Sequence, residues 1–255
     1  MNDSHFPIED WGICPVLFKI WGYDIPSYSV MILLALAVGS VVYYLESKKE
    51  KETKDKAFFI PTAALIGGIV GAKIPIWLEN YRAISTALPA PDVLFPGRTI
   101  VGGLIGGTIS VILVKRYLGI KGRMGNLFAP AVAAGLAVGR IGCFMGGCCY
   151  GIPTSLPWGV DFGDGVPRHP TQLYEAAFAL GIFIYLKYTK NKKKSLPPGI
   201  LFDLFLNSYF LFRFMVEFIR VHPPVIFGLT MYQLFSLAAL LYINRGKRLK
   251  RREYI

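Results

Sequence analysis

Two arginines, Arg140 and Arg213, lie deep inside apolar stretches of this sequence. A guanidinium at membrane depth costs about 2.5–3.5 kcal/mol even on the gentler insertion scale, so it normally faces a polar cavity or a partner. Two of them on separate stretches point to a shared anionic ligand. Tyr209, Arg213, Glu217 and Arg220 follow at spacings of 4, 4 and 3, which places all four on one helical face. One reading is an internal ion-pair ladder, in which Glu217 neutralises one arginine and the stripe locks two helices together. A single carboxylate cannot neutralise Arg140, Arg213 and Arg220, however. The surplus positive charge favours a cavity for a phosphate or phosphoglycerol headgroup, which arginine grips with a planar fork of donors.

Two further runs carry polar chemistry. The first is Gly-Arg-Ile-Gly-Cys-Phe-Met-Gly-Gly-Cys-Cys-Tyr-Gly at 139–151, which holds Cys143, Cys148 and Cys149, three of the four cysteines. The second is Arg168-His169-Pro170-Thr171-Gln172-Leu173-Tyr174-Glu175. Its Pro170 suits a helix start. Gln172 and Glu175 are too polar to face lipid and are expected in the same cavity as the arginines. His169 taken alone is more often a hydrogen-bonded structural histidine than a catalytic one.

These residues must be positioned by seven apolar stretches, near 27–46, 57–79, 99–114, 127–146, 172–186, 199–219 and 230–243. Every second connection is basic. Lys48, Lys49, Lys51, Lys54 and Lys56 follow the first stretch, and Lys115, Arg116, Lys121 and Arg123 follow the third. Lys187, Lys190, Lys192, Lys193 and Lys194 follow the fifth, and Arg245, Lys247, Arg248, Lys250, Arg251 and Arg252 follow the seventh. If each stretch crosses a bilayer, all of these lie on one side, and the positive-inside rule makes that side the cytoplasm. The expectation is an all-α polytopic membrane protein of about seven transmembrane helices, N-terminus outside and C-terminus cytoplasmic. Composition agrees, since 53% of the 255 residues are hydrophobic and a spanning helix needs about 20 mainly apolar residues.

The net charge of +12 sits in juxtamembrane runs that orient the chain and meet anionic lipid, so nucleic acid is not an expected partner. The acidic start, with Asp3, Glu9 and Asp10, does not resemble a cleavable signal peptide. No linker is long enough to separate distinct folding units, so 1–255 reads as a single integral membrane domain. The segments 80–97 and 147–170 are the long external loops, and the second reads as an ordered cap. The segment 8–26, with Trp11, Trp21 and Tyr23, is expected along the outer interface. Gly67 with Gly71, Gly102 with Gly106, Gly103 with Gly107 and Gly135 with Gly139 are small-xxx-small pairs that let helix backbones approach closely.

Taken together, these blocks resemble the prolipoprotein diacylglyceryl transferase family. Tyr28-Ser29-Val30-Met31 resembles its first-span motif. Arg168 to Glu175 resembles its His-Pro-Ser-Gln-Leu-Tyr-Glu block, and Tyr209 to Arg220 its tyrosine-arginine-glutamate-arginine helix. Gly139-Arg140-Ile141-Gly142 matches the opening of the family signature. The similarity runs over roughly 12–243. It implies a seven-helix enzyme of the bacterial plasma (inner) membrane that moves the diacylglyceryl group of phosphatidylglycerol onto the cysteine thiol of a lipobox-containing preprolipoprotein, or a related thiol acceptor. The resemblance gives Arg140 and Arg213 the lipid phosphate, with Tyr28 and Tyr209 beside it and Glu217 and Arg220 in support. His169, Gln172 and Glu175 are expected to shape the acceptor side.

The chain departs from the family pattern where the nucleophile would be activated. The signature continues Asn-Phe-x-Asn-Gly-Glu, and here those positions read Cys143-Phe144-Met145-Gly146-Gly147-Cys148; Val101 stands where the family carries a histidine before paired glycines. Cys148 or Cys149 near His169 could supply an activated thiolate, or His169 could be the base for an external thiol. A disulfide from Cys143 to Cys148 or Cys149, with a structural or redox role, is a third option. Zinc is the weakest, because the spacing matches no recognised structural site. Cys14 reads as structural. No cofactor or metal is expected. Two other readings keep the same scaffold, a membrane thiol-disulfide protein and a non-catalytic lipid-binding protein.

Overall fold

A computed structural model describes residues 11–48, 59–79, 100–119, 124–192 and 196–252. These are mostly helical. Seven α-helices occur among them: α1 Ser27–Ser47, α2 Phe59–Glu79, α3 Ile100–Tyr117, α4 Gly125–Met145, α5 Thr171–Lys192, α6 Ile200–Val216 and α7 Met231–Arg252. Each occupies one of the apolar stretches read from the sequence. Two of them, α1 and α4, are long and apolar enough to cross a membrane. The segment 80–97, expected as an external loop, and the basic residues from Lys49 to Lys56 lie outside the described residues.

The chain forms two compact units. One holds α2 and α3, packed antiparallel through their glycines. A Cβ on Gly71 would stand 2.5 Å from the Gly102 carbonyl oxygen, and one on Gly106 would stand 2.4 Å from that of Gly67. Only hydrogen fits there, so the small-xxx-small pairs bring two backbones into contact.

The second unit contains α1 up to Tyr43 together with α4 to α7. Side chains in it are distributed inside out relative to a water-soluble core. Leu33, Ile184, Leu211 and Leu241 are each more than half exposed, while Arg140, Glu175, Arg213 and Glu217 are buried. An apolar exterior around a polar centre suits a lipid solvent. At one end Asn126 of α4 accepts from the Leu201 amide (2.9 Å) and donates to the Pro197 carbonyl (3.0 Å). It thus supplies the cap that Gly199, which precedes α6, has no side chain to give.

Two short hairpins interrupt the helical pattern. Within the segment 8–26, β1 Val16–Ile20 pairs antiparallel with β2 Tyr23–Pro26. Trp21 and Gly22 turn the chain with φ of 49° and 82°, the left-handed values of a two-residue hairpin turn. The second hairpin joins β3 Pro224–Ile226 to β4 Leu229–Thr230.

The 147–170 segment is an ordered cap, held by a short ladder of backbone bonds. Val160 and Arg168 exchange both bonds at 2.9 Å, and the Ile152 amide donates to the Ile219 carbonyl at 2.9 Å. A Cβ on Gly151 would come within 2.4 Å of the Ile219 oxygen, so the cap closes onto the end of α6 only with glycine there. Asp161 Oδ1 accepts from the amides of Gly163, Asp164 and Gly165. Arg168 pairs in a fork with Asp164 and lies over the ring of Tyr150 (5.1 Å). That pairing holds the Asp164 carboxyl below its usual range.

A buried arginine–glutamate cluster

The site lies within the second unit, where α4, α5 and α6 bring their polar residues together. Arg140, near the end of α4, is ion-paired with Glu175 Oε2 from the second turn of α5. The other oxygen of Glu175 accepts from Arg220 Nη1 at 2.8 Å. Glu217 Oε2 holds Arg213 Nη1 at 2.7 Å and faces Arg220 Nε at 3.9 Å. Glu217 Oε1 receives His222 Nδ1 at 2.7 Å and the Thr230 hydroxyl at 3.0 Å. The α-helix ends at Val216, and a 3-10 turn over Glu217–Ile219 carries the stripe onward to an extended Arg220. The face anticipated from Tyr209 to Arg220 is therefore completed by a tighter turn.

Glu175 is the partner that spacing within one helix does not show. It comes from a different helix, 45 residues from Arg220 in the chain, and it divides itself between two arginines. Three buried guanidinium groups thus face two buried carboxylates, leaving one formal positive charge. Several polar atoms in the cluster are buried without a hydrogen bond: Arg140 Nε, Gln172 Oε1 and Tyr209 Oη. Tyr209 is 1% exposed, and its hydroxyl lies in the field of Arg140, Arg213 and Glu175. Of the unpaired atoms, Arg140 Nε and Tyr209 Oη are donors, and unpaired donors beside surplus positive charge are the arrangement that an oxyanion completes. Tyr28 packs against the C-terminal end of α4, its Cβ at 3.4 Å from where a Cβ of Gly146 would stand.

Gln172 and Thr171 hold the turn after α4. Gln172 Nε2 donates to the Cys148 carbonyl and Thr171 Oγ1 to the Cys149 carbonyl, both at 2.6 Å. All four cysteines are free thiols. Cys143, Cys148 and Cys149 have their sulfurs within 4.8 Å of one another. Contacts with Cys143 and Cys148 hold the Cys149 thiol below its ordinary range, while contacts with Cys143 and Cys149, together with burial, push Cys148 up.

His169 sits elsewhere. Its Nδ1 meets the Tyr174 hydroxyl at 3.2 Å, and that hydroxyl also receives Trp158 Nε1 at 2.8 Å. The ring is part of the cap, and neither Cys148 nor Cys149 is its hydrogen-bond partner. The histidine that does join the ion network is His222, which sequence reasoning passed over. Its one signal is its place two residues beyond Arg220, before Pro223 and Pro224. Val101 lies on α3, in the other unit.

Comparison with known proteins places this geometry in context. A family model described as prolipoprotein diacylglyceryl transferase matches residues 15–244. The chain is similar to the phosphatidylglycerol–prolipoprotein diacylglyceryl transferase of Clostridium tetani, at 36% identity over 222 residues, covering 82% of this chain and 86% of the relative. Relatives of the same name from Finegoldia magna (34% identity, 89% and 91% covered) and Methylococcus capsulatus (36% identity, 91% and 93% covered) align over similar shares.

Proposed function

We propose that this chain, which belongs to the prolipoprotein diacylglyceryl transferase family, transfers the diacylglyceryl group of phosphatidylglycerol to a cysteine thiol of a prolipoprotein. The observation that carries the reading is the Arg140–Glu175–Arg220–Glu217–Arg213 cluster, buried yet positive by one charge, with donors to spare. In the reaction the acceptor sulfur bonds to the terminal diacylglyceryl carbon as that carbon's bond to the phosphate oxygen breaks. The oxygen leaves with the electron pair on glycerol phosphate. Fixed guanidinium groups aimed at that oxyanion stabilise it without reorganisation, and removing one such donor typically costs about 10²–10³ in rate.

Arg140 and Arg213 are assigned to the phosphate, with Tyr209 and Tyr28 alongside. Glu175, Glu217 and Arg220 hold those arginines in place. The acceptor thiol must lose its proton, and His222 is assigned that proton. Its Nδ1 lies 2.7 Å from Glu217 Oε1, and that carboxylate also holds Arg213. His169 is committed to Tyr174 in the cap, which favours His222 for this role. For topology we propose seven spans in a bacterial plasma membrane, with the N-terminus outside and the basic connections cytoplasmic, the whole chain acting as one membrane domain. The apolar exposed faces of the helices and the alternation of basic loops support this.

The test is a transfer assay with purified protein, labelled phosphatidylglycerol and a lipobox peptide, scored for thioether product and glycerol phosphate. Loss of both products in Arg140→Ala and Arg213→Ala is expected. Retained transfer in either variant overturns the phosphate assignment. Glycerol phosphate release without peptide labelling points to another acceptor.

A further inference from the structure

The three clustered thiols take no part in the transfer chemistry assigned above, and their geometry has its own logic. Cys143 lies in the last turn of α4, and the chain then folds back on itself. The Cys148 amide donates to the Cys143 carbonyl at 3.0 Å, and left-handed φ values of +67° at Gly147 and +65° at Cys149 make the reversal. Glycine adopts that conformation freely; cysteine does so only where the surroundings hold it. Here Thr171 and Gln172 hold the carbonyls of Cys149 and Cys148 from α5. The outcome is three sulfurs facing one point, with Cys143 and Cys148 8% and 7% exposed.

We propose that Cys143, Cys148 and Cys149 form a three-thiolate site for a thiophilic divalent cation of the zinc class. Zinc–sulfur bonds of about 2.3 Å require sulfurs roughly 3.8–4.0 Å apart, which falls inside the 4.8 Å envelope of this cluster and needs only small side-chain rotations. An odd number of convergent thiols suits this better than a disulfide, which would leave one unused. Charge also fits. Binding releases three thiol protons as three sulfur–metal bonds form, so a divalent ion on three thiolates carries one negative charge. The adjacent cluster carries one positive charge, and Cys149 lies in the field of both Arg220 and Arg140. The family resemblance does not supply this site, because the signature has asparagine and glutamate where Cys143 and Cys148 stand. The inference also stands independently of the transfer reaction.

The experiment uses the full chain in detergent, reduced, chelator-stripped and titrated anaerobically with Cd²⁺ alone. A thiolate-to-metal charge-transfer band saturating at one ion per chain is expected. Mass mapping of alkylated cysteines should then show Cys143, Cys148 and Cys149 protected, with Cys14 still modified. Cys148→Ser should weaken binding by more than the roughly 10–100-fold lost when only an outer partner of a metal ligand is removed, and Cys14→Ser should leave the titration unchanged. Saturation at another ratio, or an alkylation pattern that Cd²⁺ does not alter, overturns the site; both are measured on the unaltered chain, so they hold even if a serine variant fails to fold. Freshly purified, unreduced protein two hydrogens lighter than the free-thiol mass also overturns it, in favour of a disulfide.

Discussion

Replacing Glu175 by glutamine separates electrostatic support from ligand contact. Glu175 is 1% exposed and bridges Arg140 and Arg220. Glutamine keeps the shape and one acceptor, but its amide turns donors toward a guanidinium that already has none to receive them. The loss falls on a buried ion pair, where removal of one partner typically costs about 3–5 kcal/mol, since the other charge is left uncompensated. Because Glu175 is so fully enclosed, little of that is recovered from solvent. The same change raises the positive surplus of the cluster from one to two. Stability and anion affinity should therefore move in opposite directions. Thermal unfolding of Glu175→Gln in detergent, followed by intrinsic fluorescence, is expected at a clearly lower temperature than the parent chain. Binding of glycerol phosphate should tighten, or at least hold, and added anion should recover some of the lost stability. A variant as stable as the parent that has lost glycerol phosphate binding would refute this, and would make Glu175 a direct ligand contact.

Three further outcomes follow. Arg140→Lys and Arg213→Lys keep the charge but lose the fork, so transfer should fall by about 10²–10³ while the fold persists, as read by the labelled-lipid assay. Gly106→Ala places a Cβ 2.4 Å from the Gly67 oxygen; it should destabilise the α2–α3 pair by about 1–3 kcal/mol, measurable as faster proteolysis at 59–117. The cap should loosen in acid. Asp164 has its carboxyl held low by Arg168, so its contribution is fully present above the ordinary carboxyl range of about 4 and is lost as pH falls through its lowered value. Pepsin cleavage within 147–170 should rise over that interval, and in Asp164→Asn it should start high and change less.

Much of the scaffold was legible in the residues because lipid imposes a simple rule. Long apolar runs in lipid favour helix; each of the seven described helices falls on one of the apolar stretches, and α1 and α4 are long and apolar enough to cross a membrane. Arginines inside two of them could be singled out for the same reason, as charges too costly to leave facing lipid. Glycines four apart announced close packing, and Gly71 and Gly106 are indeed against opposing backbone. The hairpin at 16–26 was not legible in this way, because the aromatic residues that suit an interface give no sign of strand pairing; the turn rests on the left-handed φ values of Trp21 and Gly22.

What the sequence by itself determined is therefore the helical inventory, the alternation of basic loops and the presence of buried arginines, since each depends on local composition and on periodicity along one element. What the tertiary structure decided is who meets whom. Glu175 divides between Arg140 and Arg220, His222 and not His169 reaches Glu217, and three cysteines from one irregular turn converge at their sulfurs. None of these pairings lies within a single helix turn. They arise from side chains on different elements, or from a chain reversal through left-handed residues, and spacing along the sequence carries no information about either.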